Sequence, residues 1–152
     1  MKTLVEKPSK QIKELIIINN DRYEGYKTAA DETKDSDIKS LFQKYSSQSK
    51  QFNNELEKLL PDHKYMPEKG ETKTSGKLYR VFMNMKHALQ GNDRKGILSS
   101  CEFGEDQAKQ AYDDVLEDSE DIDSDALSVI QKQRGELQKS HDKIKTMRDS
   151  AR

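Results

Sequence analysis

Four long stretches of the chain place apolar residues at alternating three- and four-residue steps, the spacing that builds a continuous stripe along one side of an α-helix. The first, about residues 9–34, carries Ile12, Leu15, Ile16, Asn19, Tyr23, Tyr26 and Ala30 on its stripe. The second, about 36–60, carries Ile38, Leu41, Phe42, Tyr45, Ser49, Phe52, Leu56 and Leu59. The third, about 93–118, presents Ile97, Leu98, Cys101, Glu105, Ala108, Tyr112 and Leu116, and the fourth, about 124–150, presents Leu127, Ile130, Arg134, Leu137, His141, Ile144 and Arg148. Helices of roughly 25 residues span about 38 Å at about 1.5 Å per residue. Elements of matched length can lie side by side in a bundle. No alternating apolar run bounded by turn residues competes with this pattern, so the predicted fold is all-α.

Punctuation places the boundaries. Ser9 after Pro8 reads as the first N-cap, the Asp35-Ser36-Asp37 turn as the cap of the second helix, and Pro61 as its stop. Residues 61–74 hold two prolines, Gly70 and mixed charges without periodicity, the signature of a surface connection. Ser75 can cap a short helix over 75–90, with Leu78, Val81, Phe82, Met85 and Leu89 on one face. Tyr79 and Met83 lie off that face and make the short helix the candidate surface for a homo-oligomer. At 152 residues the whole chain, 1–152, reads as one domain with a single core.

Charge narrows the partners. Charged residues make up 36% of the chain and hydrophobic ones 32%, so only a striped arrangement can supply a core. The formal net charge is -1, whereas a protein that lives on phosphate backbones carries a basic excess, so nucleic acid is not an expected partner. Leu15 to Ile18 is the longest aliphatic run and far too short for a membrane span or a signal-peptide core; the expected location is the cytoplasm. Cys101 is the only cysteine, which excludes an internal disulfide and a thiolate-cluster metal site.

Several strings occur together in order: Asn19-Asn20-Asp21 with Glu24-Gly25-Tyr26, then Phe52 to Leu56, Cys101 to Asp106 (CEFGED), and Ser140 to Ile144 (SHDKI). Over about residues 10–149 this pattern resembles a bacterial ferritin-like four-helix-bundle family known only as a domain of unknown function. The resemblance implies a ferritin-like bundle and no established activity. Three positions depart from it: Arg22 stands where a small residue is expected, and Tyr79 and Phe82 where His and Trp are expected.

Polar residues on the inward stripes are the candidate site: Asn19, Tyr23, Tyr26, Tyr45, Ser49, Glu105 and His141. Buried polar groups need partners. Glu105 and His141 each lie about 18 residues from the turn near Asp123, which predicts that they meet, and the same arithmetic about Ser36 pairs Tyr26 with Tyr45. If the connection between the second and third long helices crosses the length of the bundle, as in one-crossover folds, these four residues share a layer.

In a ferritin-like di-iron centre, two helices give a Glu each and the other two a Glu-x-x-His. Here the fourth helix offers Gln138-x-x-His141, the second Tyr45-x-x-Gln48, and only the third supplies carboxylates, Glu102 and Glu105. A hydrogen-bonded network in which Glu105 orients His141 suits this set best. A divalent-metal site on Glu102, Glu105 and His141 is the alternative. Two irons lack the ligands they require.

Asp121-x-Asp123-x-Asp125 opens like a calcium loop, but Ala126 replaces the required glycine and Lys132 the bidentate Glu, so it reads as a solvated turn. His63 and His87 are isolated. No nucleophile motif, phosphate loop or zinc spacing is present. The sequence therefore leads to a non-enzymatic ferritin-like bundle with a degenerate metal-centre layer and no cofactor, stress-related or partner-binding in role; the alternative is a divalent-metal-binding or redox protein that uses a reduced Glu/His site in the bundle core.

Overall fold

The computed structural model describes residues 2–61, 63–68, 71 and 77–151. Among the described residues five α-helices follow one another: α1 (Lys2–Glu32), α2 (Ser36–Glu57), α3 (Lys77–Gln90), α4 (Arg94–Glu117) and α5 (Ser124–Ser150), with a three-residue 3-10 turn, His63–Tyr65, after α2. No strand occurs among the described residues, and no described helix is long and apolar enough to cross a membrane.

The starts of α4 and α5 have local causes. The Asp93 carboxylate accepts from the Gly96 amide at 3.0 Å and starts α4. A Cβ at residue 96 would come within 2.4 Å of that carboxylate, so glycine is what lets the cap fold back. Asp123 caps α5 in the same way, accepting from Ala126 N at 2.9 Å. At the turn before α4, Asn92 takes a φ of 52°, a left-handed conformation that asparagine tolerates better than most residues.

Two boundary expectations are corrected. α1 starts well before Ser9, with Pro8 inside the helix and Ser9 buried. Proline costs the helix one hydrogen bond there, but Lys7 is tied to Asp118 at 2.9 Å and Gln11 donates to the Asp118 carbonyl at 2.8 Å, so tertiary anchoring holds the first turns in line. Asp35 occupies the N-cap position of α2 without capping it through its side chain. Its carboxylate joins Asp37 in binding Arg94, at 3.4 and 2.6 Å, which clips the start of α4 to the start of α2. The expected cap at Ser75 and the side chain of Tyr79 lie outside the described residues.

Side-chain contacts fix the topology. α1 and α2 form an antiparallel hairpin, with Ser46 donating to the Tyr23 carbonyl and Asn53 to that of Ile16. α4 and α5 form another, joined by Arg134 and Asp113. α4 also runs antiparallel to α1, since Lys7 meets Asp118 while Tyr26 meets Cys101, and α5 antiparallel to α2, since Gln133 meets Phe52 while Tyr45 meets Ser140. It follows that α1 is parallel to α5 and that the connection from Glu57 to Arg94 crosses the length of the bundle. α3 packs on α1 and α4. Its Phe82 ring presses on the α1 backbone at Gly25, where a Cβ would sit 2.3 Å from the ring.

The core divides into two apolar clusters. One, nearer the α1–α2 turn, gathers Tyr26, Phe42, Met85, Leu98 and Ile144; the other gathers Leu15, Leu56, Tyr112, Ile130 and Leu137. Between and beside them lie the buried polar residues Asn19, Arg22, Ser49, Glu105, Gln133 and Ser140.

Candidate functional site

Leu15, Asn19, Arg22 and Tyr26 follow one another at steps of four, three and four, so one face of α1 carries all of them into the core. Arg22 is only 1% exposed. Its Nε donates to Glu105 Oε1 at 2.9 Å and its Nη1 to Ser49 Oγ at 2.9 Å, with the Tyr45 carbonyl at 3.5 Å. The guanidinium carbon lies 5.3 Å from each of the Tyr26 and Tyr45 ring centroids, within cation–π range.

Glu105 is held from a second side. The Tyr26 hydroxyl donates to the same Oε1, and its oxygen is 3.0 Å from Cys101 Sγ. The hydroxyl has a single proton, so giving it to Glu105 leaves the thiol as the donor to Tyr26. Arg22 Nη2 and Glu105 Oε2, the second arm of a guanidinium–carboxylate fork, make no hydrogen bond.

The electrostatics follow from burial. Removal from water pushes the Tyr26 hydroxyl well above its ordinary range, and the neighbouring Cys101 and Glu105 push it further. Burial, then Glu105, does the same to the Cys101 thiol. Tyr45 is raised by burial and next by Glu105. For Arg22 burial works against the charge, and the Glu105 carboxylate, together with Tyr26 and Cys101, more than offsets it, so the guanidinium is held above its ordinary range. The layer is therefore a charged pair surrounded by protonated donors, with no free nucleophile.

A second network lies farther along the bundle and joins all four long helices. Asn19 of α1 donates to the Tyr112 hydroxyl of α4 at 2.8 Å, and that hydroxyl donates to Gln133 Oε1 of α5 at 2.6 Å. Gln133 Nε2 in turn donates to the Phe52 carbonyl and Glu55 of α2, at 3.1 and 2.9 Å. Burial raises the Tyr112 hydroxyl above its ordinary range, which keeps it a donor.

The predicted residues divide between the two environments. Asn19, Tyr26, Tyr45, Ser49 and Glu105 are buried, and the last four share the Arg22 layer. Glu105 and His141 do not meet. His141 is on the α4–α5 seam, its Nε2 3.1 Å from Asp106 and 3.6 Å from Glu102, its Nδ1 3.1 Å from Asp142. Equal distance from a turn sets height along the bundle and leaves rotation about the helix axis open; on α5 the inward positions are Gln133, Leu137, Ser140 and Ile144. Tyr23 is likewise off the core, half-buried between Lys27 and Lys50, because Asn19, Arg22 and Tyr26 hold the inward face of α1.

The residue that sequence reasoning passed over is Arg22, noted only as a departure from a family pattern. Its signal was available: a cation on an apolar stripe, opposite the one helix with inward carboxylates.

A divalent metal in this layer does not suit the residues present. One Glu105 oxygen already takes two donors, a guanidinium fills the space beside it, and the remaining polar neighbours are protonated hydroxyls and a protonated thiol. Outside the layer, Glu102 is also bound by Arg148 and Asp106 lies 3.5 Å from Lys109, so the carboxylates near His141 have cationic partners of their own. Among the described residues no group of three His, Cys, Asp or Glu side chains is arranged to hold a metal ion.

Fold and site together define a one-crossover helical bundle with an arginine–glutamate pair buried in its core. The family model described as Domain of unknown function (DUF2383) matches residues 7–118, well over half of the chain, and the chain belongs to that family. The match runs from Lys7 in α1 to the end of α4, so it takes in Arg22, Tyr26, Tyr45 and Glu105 and stops short of α5. No curated protein and no solved structure gives a match.

Proposed function

We propose that this is a non-enzymatic, cytoplasmic, partner-binding bundle whose central layer is a degenerate counterpart of a ferritin-like metal centre. The observation that carries this reading is the double engagement of Glu105, by Arg22 at 2.9 Å and by the Tyr26 hydroxyl. The inward carboxylate of that layer is committed to an internal cation, and an internal cation opposes a metal ion at the same place. A network of this kind holds helices in register and offers no activated nucleophile.

Partner binding is supported by the exposed large apolar side chains. Among the described residues these are Met83 of α3 and Phe103 of α4, 44% and 56% exposed. Self-association through α3 is the form of partner binding we assign to Met83. The competing reading, a divalent-metal or redox protein using Glu102, Glu105 and His141, keeps one point of support, the 3.6 Å approach of His141 to Glu102.

Elemental analysis separates the two. Protein purified without chelator and without an affinity-tag metal is expected to carry far less than one transition-metal ion per chain and to show no saturable binding of zinc or manganese. One tightly held ion per chain, lost in Glu102→Gln or His141→Ala, would establish the competing reading instead.

A further inference from the structure

The surroundings of the Arg22 guanidinium form a receptor for a planar cation. Two tyrosine rings stand 5.3 Å from its central carbon, a carboxylate oxygen receives Nε at 2.9 Å, and a serine hydroxyl receives Nη1 at 2.9 Å. Aromatic faces and a single buried carboxylate are the elements by which proteins recognise organic cations, and acceptors on two sides of the group, Glu105 at Nε and Ser49 at Nη1, suit a planar cation with several N–H donors better than a point charge. We infer that the core layer is a binding site for guanidinium-class cations, filled by the chain's own Arg22.

The side chain acts as a tethered ligand. It carries charge into a place that is almost fully buried, and the tether removes the entropy that a free ligand would lose on binding. The choice of ligand class rests on what the cage offers. One carboxylate balances a single positive charge, and the rings stand near a delocalised planar group. A strongly hydrated metal dication would face one carboxylate, tyrosine hydroxyls and a thiol that keeps its proton. This inference concerns the same layer as the proposed function, yet the two fail separately: a metal ion in the unaltered protein would overturn the functional reading, and the experiment below does not depend on metal content.

Arg22→Ala removes the atoms of an ethylguanidinium ion, so ethylguanidinium chloride at low millimolar concentration is the probe. Thermal unfolding followed by circular dichroism is expected to show a saturable rise in Tm for Arg22→Ala, about 3–5 °C at ten times the dissociation constant. Equal concentrations of sodium chloride and tetramethylammonium chloride are expected to give less. The unaltered protein, whose cage is full, should show no saturable rise, and Arg22→Ala combined with Glu105→Gln should lose it. If Arg22→Ala alone is unfolded at 25 °C, recovery of the helical signal on addition of ethylguanidinium is read in place of Tm. A response no larger than that to sodium chloride, or an equal response with Glu105→Gln present, would overturn the inference, as would failure of the unfolded variant to recover.

Discussion

At the scale of the residue, one position illustrates how burial sets chemistry. Cys101, Tyr26 and Glu105 form a line of contacts in which the acidic protons of the thiol and the phenol are held because their charged forms would be stranded in the core. The sign of the pH dependence follows. Both groups have folded-state pKa values raised above those of the unfolded chain, so their contribution is fully present below the unfolded values and is lost as pH rises beyond them. Stability should therefore begin to fall above about pH 8.5, where an unfolded thiol ionises, at up to about 1.4 kcal/mol per pH unit for that one proton, and fall more steeply above about pH 10 as the tyrosines join. Urea midpoints measured from pH 7 to 10 test this. In Cys101→Ala the first phase should be absent, and an unchanged profile in that variant would show that the thiol is not the group involved. Part of this was legible in the sequence, which puts Cys101 and Glu105 one turn apart on the inward stripe of the third long helix; the depth of burial and the Tyr26 contact, which come from packing against α1, were not.

Elements were easier to read than residues, because a stripe of seven or eight apolar positions averages over local exceptions. All four long helices and the short one follow from their periods. The failures are places where a distant contact outweighs a local preference, as with Pro8 and Asp35. The packing of α3 on α1 was also hidden, since it depends on an absence: Gly25 has no side chain, and the Phe82 ring occupies the space. A methyl group there would overlap the ring, so Gly25→Ala should destabilise by about 1–3 kcal/mol despite the better helix propensity of alanine. The same substitution made in a Phe82→Ala background should cost much less, and could stabilise. Urea unfolding of the four proteins in this cycle checks the contact; equal costs in the two backgrounds would show that α3 does not press on α1 at this point.

For the whole molecule, the question is what a buried ion pair contributes to a bundle that has two apolar clusters to hold it together. Hairpin arithmetic fixed the heights of Tyr26, Tyr45, Glu105 and His141, and the crossing connection puts α1 parallel to α5, yet the arithmetic could not say which way each side chain faces. Glu105 turns to Arg22 and His141 to the α4–α5 seam. Burying a guanidinium and a carboxylate costs several kcal/mol per ion before their attraction is counted, so the pair is a weak source of net stability and a strong penalty once half of it is removed. Arg22→Met and Glu105→Leu should each destabilise the bundle by about 3–5 kcal/mol, because each strands a buried charge. Together they should cost far less than the sum and could raise the urea midpoint, since methionine and leucine pack where the charges were desolvated. What the double variant should lose is definition. Arg22 binds groups from α2 and α4 simultaneously, through Ser49 and Glu105, and apolar replacements would accept several rotations and registers of those helices. Its amide NMR spectrum should broaden, and amide exchange near the layer should quicken, while its helical content stays the same. Additive single effects would show that the pair is not coupled, and a double variant with a spectrum as sharp as that of the unaltered protein would show that the apolar clusters alone fix the arrangement of the helices.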